Sequence, residues 1–164
     1  MKQTLFLVMD MTNDIVAEDG FNKATYGVQV KTRSVLASTA AAIAAARAAG
    51  ARVGYVRVGF SPDYRECPPA SPIFSGARAN GIFQLGTHGT EVHPAVAPQA
   101  GDFDIVKHRV SPFYATSLEP SCGRTESNGS SCAGYRPTAS SIPAHARRMT
   151  ATTRLSSSKI AAPG

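Results

Sequence analysis

Two charged residues, Asp10 and Lys107, each close a short apolar run, and they are the pair best placed for chemistry in this chain. Asp10 follows LFLVM at 5–9 and leads into Thr12, Asn13 and Asp14, while Lys107 ends DIVK at 104–107 and leads into His108, Arg109 and Val110. Polar residues at the carboxyl end of a buried strand are where open α/β sheets place their chemistry. Each also has an ordinary explanation: Asp and Asn serve loops and helix starts through local hydrogen bonds, and a lysine at a strand end is commonly a solvated charge. The two gain weight together, because both runs read as parallel strands of one sheet and would end on the same rim.

Other reactive side chains offer less. His88 and His93 are five residues apart on an irregular segment with no carboxylate–histidine pattern, so no metal site is expected, and Pro94 points to a structural turn at His93. Cys67, Cys122 and Cys132 are odd in number, and nine residues separate the last two. That fits neither a disulfide framework nor a zinc ligand set and suggests a reducing compartment.

The elements that would position Asp10 and Lys107 follow from hydrophobic pattern. Residues 5–9 are a continuous apolar run, as in a buried parallel strand. Ser34–Ala49 predicts a helix with Ser34 as its cap and Gly50 just past its end. Arg52–Phe60 predicts a second strand and Asp104–Lys107 a third. Strand, helix and strand in that order make a βαβ unit with parallel pairing and a right-handed crossover. Residues 61–101 are rich in Pro and Gly, and segments of that length commonly act as lids or binding elements.

At 164 residues the length suits one domain. The formal charge of +6 is unevenly spread, since 120–164 hold five arginines and Lys159 against Glu126, leaving +1 for 1–119. Those basic residues lack helical spacing and, beyond Tyr135, aromatic interleaving, so nucleic acid is not the expected partner. No apolar stretch approaches the roughly 20 residues that cross a bilayer, and Asp10 ends the N-terminal run too early for a signal peptide. A soluble cytoplasmic protein is the expectation.

The segments LFLVMDMTNDIV (5–16), GTHGTEVHP (86–94) and DFDIVKHRVSPFYATSLE (102–119) together resemble the isochorismatase-like hydrolase superfamily, the cysteine hydrolases. The resemblance covers residues 1–119 and departs from the family's usual opening at Thr12, where Gln is customary. It implies a three-layer αβα, Rossmann-like fold with a mainly parallel sheet. It also implies hydrolysis of an amide or vinyl-ether bond in a small molecule, no cofactor, and a homo-oligomer. Asp10 matches the family's catalytic aspartate and Lys107 its catalytic lysine. The third member, a Cys in a T-D-x-C-V motif after the fourth strand, has no match: Cys122 and Cys132 lie in PSCGRT and SSCAGY, so no nucleophile is identified. The metal-binding branch uses an Asp-x-His motif after the second strand, where this chain has SPDYREC, and no metal is implied.

The family chemistry explains why three groups are customary. A nearby Lys favours the nucleophilic thiolate and an Asp takes the thiol proton. The amide then passes to a thioester, its oxyanion held by backbone N–H groups. Members without the thiol hydrolyse vinyl ethers by protonating the enol carbon, a task for Asp10 if burial kept it protonated.

The chain changes character after Glu119. Residues 120–164 contain no Val, Phe or Asp, and 34 of the 45 are Ser, Ala, Thr, Arg, Gly or Pro, too few apolar anchors to offset ordering entropy. Reading the third base of each codon with the first two of the next allows VVCGVSTDG and DYEVVVVED, strand-like runs in the family's order, so this segment has the marks of a shifted frame. Even in that frame, the codon at the nucleophile position, straddling Ala139 and Ser140, cannot encode Cys. The expected product is an incomplete sheet of about three strands, with the flank of strand one bare, a poorly ordered tail and impaired activity. The alternative is a non-catalytic binding or regulatory protein whose basic tail engages an acidic partner.

Overall fold

The computed structural model describes residues 4–118 and a strand at 131–135. Strand β1 (Thr4–Met9) pairs in parallel with β2 (Arg52–Val58), and β2 with β3 (Phe103–Lys107). The open α/β sheet expected from the apolar runs is therefore present, with three strands from the first 119 residues. A fourth, β4 (Ser131–Tyr135), runs parallel to β1, giving the order β3-β2-β1-β4. This corrects the expectation of a bare flank on β1. SCAGY has no β-branched residue and no apolar alternation, so it carries no strand signal, but the open edge of β1 supplies N–H and C=O groups that any backbone can pair. The expected disorder of the rest of 120–164 lies outside the described residues.

Alternation along the strands divides the core by face. Val8, Val53 and Tyr55 pack with Val35 and Ile43 of helix α3 (Val35–Ala48) and with Met11, Val16 and Val96. On the other face Leu5, Leu7, Val56 and Ile105 meet Leu118. A third cluster gathers at the carboxyl rim of β2 around Phe60, with Val58, Tyr64, Phe74, Ala77 and Phe83.

Helix α3 ends as expected: Gly50 takes φ 75°, its N–H bonds Arg47 O at 2.9 Å, and Ala51 N–H bonds Ala46 O at 3.0 Å, which closes the last turn. Its start differs. Ser34 lies in the left-handed region at φ 48° and makes no side-chain cap. The reason is helix α2 (Val28–Thr32) directly before it: Ser34 N–H still bonds Lys31 O while Ser34 O already accepts from Ser38 N–H. Ser34 is a joint between two helices, not the beginning of one.

Residues 61–101 are largely tied down. Phe60 N–H bonds Phe83 O at 2.7 Å and Leu85 N–H bonds Phe60 O at 2.9 Å, so this stretch returns to the end of β2. It includes a short helix α4 (Ala77–Asn80) and two 3-10 turns, His88–Thr90 and Pro94–Val96. Among the described residues no helix is long and apolar enough to cross a membrane.

Candidate functional site

The chain leaves β1 through a sharp turn at Asp10, whose N–H bonds Val56 O at 2.8 Å and whose φ is 59°. The left-handed region costs most side chains of order 1 kcal/mol or more, and Asp is among the few that enter it readily. The turn aims the carboxylate over the carboxyl end of β2. Lys107 approaches from the other side. Met9 pairs with Val56 and Lys107 with Val58, so Asp10 and Lys107 end strands that flank β2 at one level of the sheet. Strands two apart are separated by about 10 Å, and the lysine stem spans most of that gap. Lys107 Nζ lies 2.7 Å from Asp10 Oδ2 and 3.3 Å from Val110 O, with 3% of the residue exposed. The two residues matched from the sequence thus meet in one ion pair across the sheet rim.

Among the described residues, neither the second carboxylate oxygen, Asp10 Oδ1, nor Thr12 Oγ1 has a hydrogen-bond partner, although both are buried. Thr12 stands at the start of helix α1 (Asn13–Val16) without capping it.

Asn13 and Asp14 are used over long range rather than as local caps. Asn13 Nδ2 donates to His88 O at 2.9 Å, Asp14 Oδ2 accepts from Phe83 N–H at 2.9 Å, and Asn13 N–H bonds Glu91 O at 3.0 Å. With His93 N–H on Met11 O and a bridge between Thr12 and Val92, residues 83–93 form a strap across the turn that carries Asp10. These partners are mostly main-chain atoms, which leave no mark in side-chain spacing. Gly89 is the tight point, because a Cβ there would overlap the Asp14 carboxylate. Gly89→Ala is expected to destabilise by about 1–3 kcal/mol, read as a lowered melting midpoint; an unchanged midpoint would mean that the strap gives way.

The histidines have structural partners. His93 Nδ1 accepts from Ala95 N–H at 3.2 Å, forming the turn that Pro94 suggested, and His88 Nδ1 lies 3.2 Å from Glu91 Oε2 on the surface. Among the described residues no group of three His, Cys, Asp or Glu is placed to hold a metal ion.

Cys67 packs beside the Phe60 cluster with Sγ 3.4 Å from Phe74 O. Burial pushes its thiol up, and the opposing pull of Arg78 and Arg109 does not offset this. Its alkylation by iodoacetamide is therefore expected to show a pH midpoint above the ordinary thiol value of about 8.5. Peptide mapping across a pH series checks this, and rapid modification at pH 7 would contradict it. Cys132 pairs by backbone with Leu5, five positions before Asp10 and so about 16 Å from that rim.

Other polar side chains on the segments that follow β2 and β3 have main-chain partners. His108 Nδ1 lies 2.6 Å from Gly59 O, and its ring stacks on Phe60 with centroids 6.1 Å apart. Arg109 Nη1 donates to Glu66 O at 2.7 Å and to His108 O at 2.8 Å. Arg78 Nη2 donates to Asp63 O.

Comparison with known proteins agrees with this architecture. The family profile described as "Isochorismatase domain" matches residues 4–124. A ureidoacrylate amidohydrolase, RutB of Methylorubrum extorquens, is 34% identical over 129 residues, 71% of this chain and 52% of that protein. Among solved structures, an isochorismatase family protein from Desulfovibrio vulgaris superposes with a TM-score of 0.59 at 23% identity, over 73% of this chain and 60% of that one. The N-carbamoylsarcosine amidase of Thermoplasma acidophilum gives 0.54 at 25% identity, over 82% and 68%. The chain spans about half the length of the curated relative it matches.

Proposed function

The chain belongs to the isochorismatase family, and from that premise we propose that it derives from a small-molecule hydrolase in which Asp10 and Lys107 are the catalytic acid–base and electrostatic groups. The observation that carries this reading is the 2.7 Å contact between Lys107 Nζ and Asp10 Oδ2 on one sheet rim. Asp10 moves the proton that hydrolysis requires, and the Lys107 ammonium orients its carboxylate and supplies positive charge beside the reacting bond. The bond is an amide or a vinyl ether. Relatives named as an amidohydrolase and an amidase favour the C–N bond.

The chain as written is impaired in this reading. Burial in a side cluster pushes the Cys67 thiol up, Cys132 pairs at the far end of β1, and residues 120–164 lack the T-D-x-C-V motif. The family match ends at residue 124, close to the change of composition, which supports a shifted frame beyond Glu119. The shifted text places no Cys at the nucleophile position, which removes the thioester route and weighs towards the vinyl ether, against the amide that the relatives' names favour.

The nucleotide sequence across codons 116–124 tests the frame: one missing base with an open frame beyond it is expected, and an adjacent frame that reads as nonsense overturns the idea. The chemistry is tested on the frame-restored protein. Turnover should survive iodoacetamide and fall about 100-fold or more in Asp10→Asn. Turnover unaffected by Asp10→Asn removes Asp10 from the mechanism.

A further inference from the structure

We propose that Arg109 is a specificity-determining residue that selects ligands carrying a carboxylate beside the Asp10–Lys107 pair; the inference rests on that pair being the reacting centre. Several cations of the described structure meet acids. Arg47 meets Asp102, Arg57 meets Asp104, Arg65 meets Asp63 and Lys107 meets Asp10. Arg109 differs. It is half-buried, and its two hydrogen bonds run from Nη1 to the backbone carbonyls of Glu66 and His108. Among the described residues no carboxylate lies within ion-pair distance of it. Carbonyl oxygens fix the orientation of a guanidinium without neutralising it. The remaining Nη2–Nε edge presents two parallel N–H donors that match a carboxylate's two oxygens.

The nearby acids are already committed. Glu66 Oε2 accepts from the Ser61 hydroxyl at 2.6 Å and from Ser61 N–H at 3.1 Å, and the hydroxyl bond above all holds its carboxyl below the usual range. Asp63 accepts from Arg65 Nε at 2.9 Å, and its Oδ1 lies 2.5 Å from the Ser61 hydroxyl oxygen, whose one proton is shared with Glu66. Arg78 adds a second guanidinium bonded to a backbone carbonyl of this same turn, at Asp63.

Position ties this cation to the reaction. His108 O, which holds Arg109, and Val110 O, which holds the Lys107 ammonium, belong to one turn two residues apart. That shared turn is the ground for placing the ligand's carboxylate beside the group that meets Lys107 and Asp10. The competing account is that Arg109 merely ties the turn at 66 to the turn at 108. That account predicts no discrimination between a charged ligand and its neutral counterpart.

The full chain, isotopically labelled, can be titrated by NMR with malonamate, a primary amide bearing a carboxylate, and with malonamide, its neutral counterpart. Malonamate should bind about tenfold more tightly at low ionic strength and move the Arg109 Nε–Hε resonance. Arg109→Gln should equalise the two probes while leaving the malonamide affinity unchanged, and Arg109→Lys should keep part of the preference. Should Arg109→Gln fail to fold, the Nε–Hε shift in the parent chain and the Arg109→Lys ratio decide. Equal affinities, failure of both probes to bind, a stationary Nε–Hε resonance, or a preference that survives Arg109→Gln would each overturn the proposal. Lys107→Met separates it from the reading it rests on. Loss of both probes supports the pair as the shared binding centre. Unchanged malonamide binding removes Lys107 from that centre even if Arg109 still selects the anion.

Discussion

Lys107→Met is expected to lower the unfolding free energy by about 3 kcal/mol, with a substantial part recovered when Asp10→Asn is added. The Lys107 side chain is 4% exposed and that of Asp10 21%, so removing the ammonium strands a carboxylate that is mostly out of water. Removing one partner of a buried pair typically costs about 3–5 kcal/mol, largely because of the charge left behind. The residual exposure of Asp10 places this case at the lower end. By contrast, Lys31 and Glu18 stand 3.9 Å apart with side chains more than four-fifths exposed, and breaking that pair should cost under about 0.5 kcal/mol. Urea unfolding of both single variants and the double variant completes a double-mutant cycle. Costs that simply add would mean that the two groups do not share an interaction.

Leu118→Ala should cost about 2–5 kcal/mol, the range for a buried leucine that leaves a cavity. Leu118 is 0% exposed and packs against Leu5, Leu7, Val56 and Ile105, one residue from each of two sites on β1, one on β2 and one on β3. Its N–H bonds the Thr116 hydroxyl at 3.2 Å. Val28→Ala is the control, because Val28 is 71% exposed and should change stability by no more than about 0.5 kcal/mol. Chemical denaturation reads both. A loss below 1 kcal/mol for Leu118→Ala would place the edge of the cooperative unit before residue 118.

The parts of this fold legible in the sequence are those that depend on side-chain type. LFLVM and DIVK announce buried strands because only apolar residues tolerate both faces of a parallel sheet. Asp10 and Lys107 stand out because charge at such a strand end is unusual. Gly50 is legible because a left-handed residue favours glycine. What was hidden depends on backbone or on distance. Ser34 has the composition of a cap, but the turn arriving from α2 already occupies its N–H. Asn13 and Asp14 resemble local caps, yet their partners are His88 and Phe83. The pairing of residues 131–135 with β1 uses ladder atoms common to every residue, so SCAGY gives no warning of it. The use of main-chain carbonyls by Arg109 was equally invisible, because Glu66 O and His108 O are atoms that every residue carries.

The ion pair at the rim joins residues 97 positions apart, and that separation governs when the site can exist. A nascent chain that has emerged only through β2 holds Asp10 in its turn with no ammonium opposite. Lys107 arrives after the intervening segment has closed its loop and β3 has docked, a non-local contact whose entropic cost precedes its reward. The same order runs backwards. Among the described strands β3 is the outermost on its side, and outer strands fray at free energies below that of global unfolding. The constellation is thus among the last features assembled and the first surrendered, so heating should dismantle it while β1 and β2 are still paired.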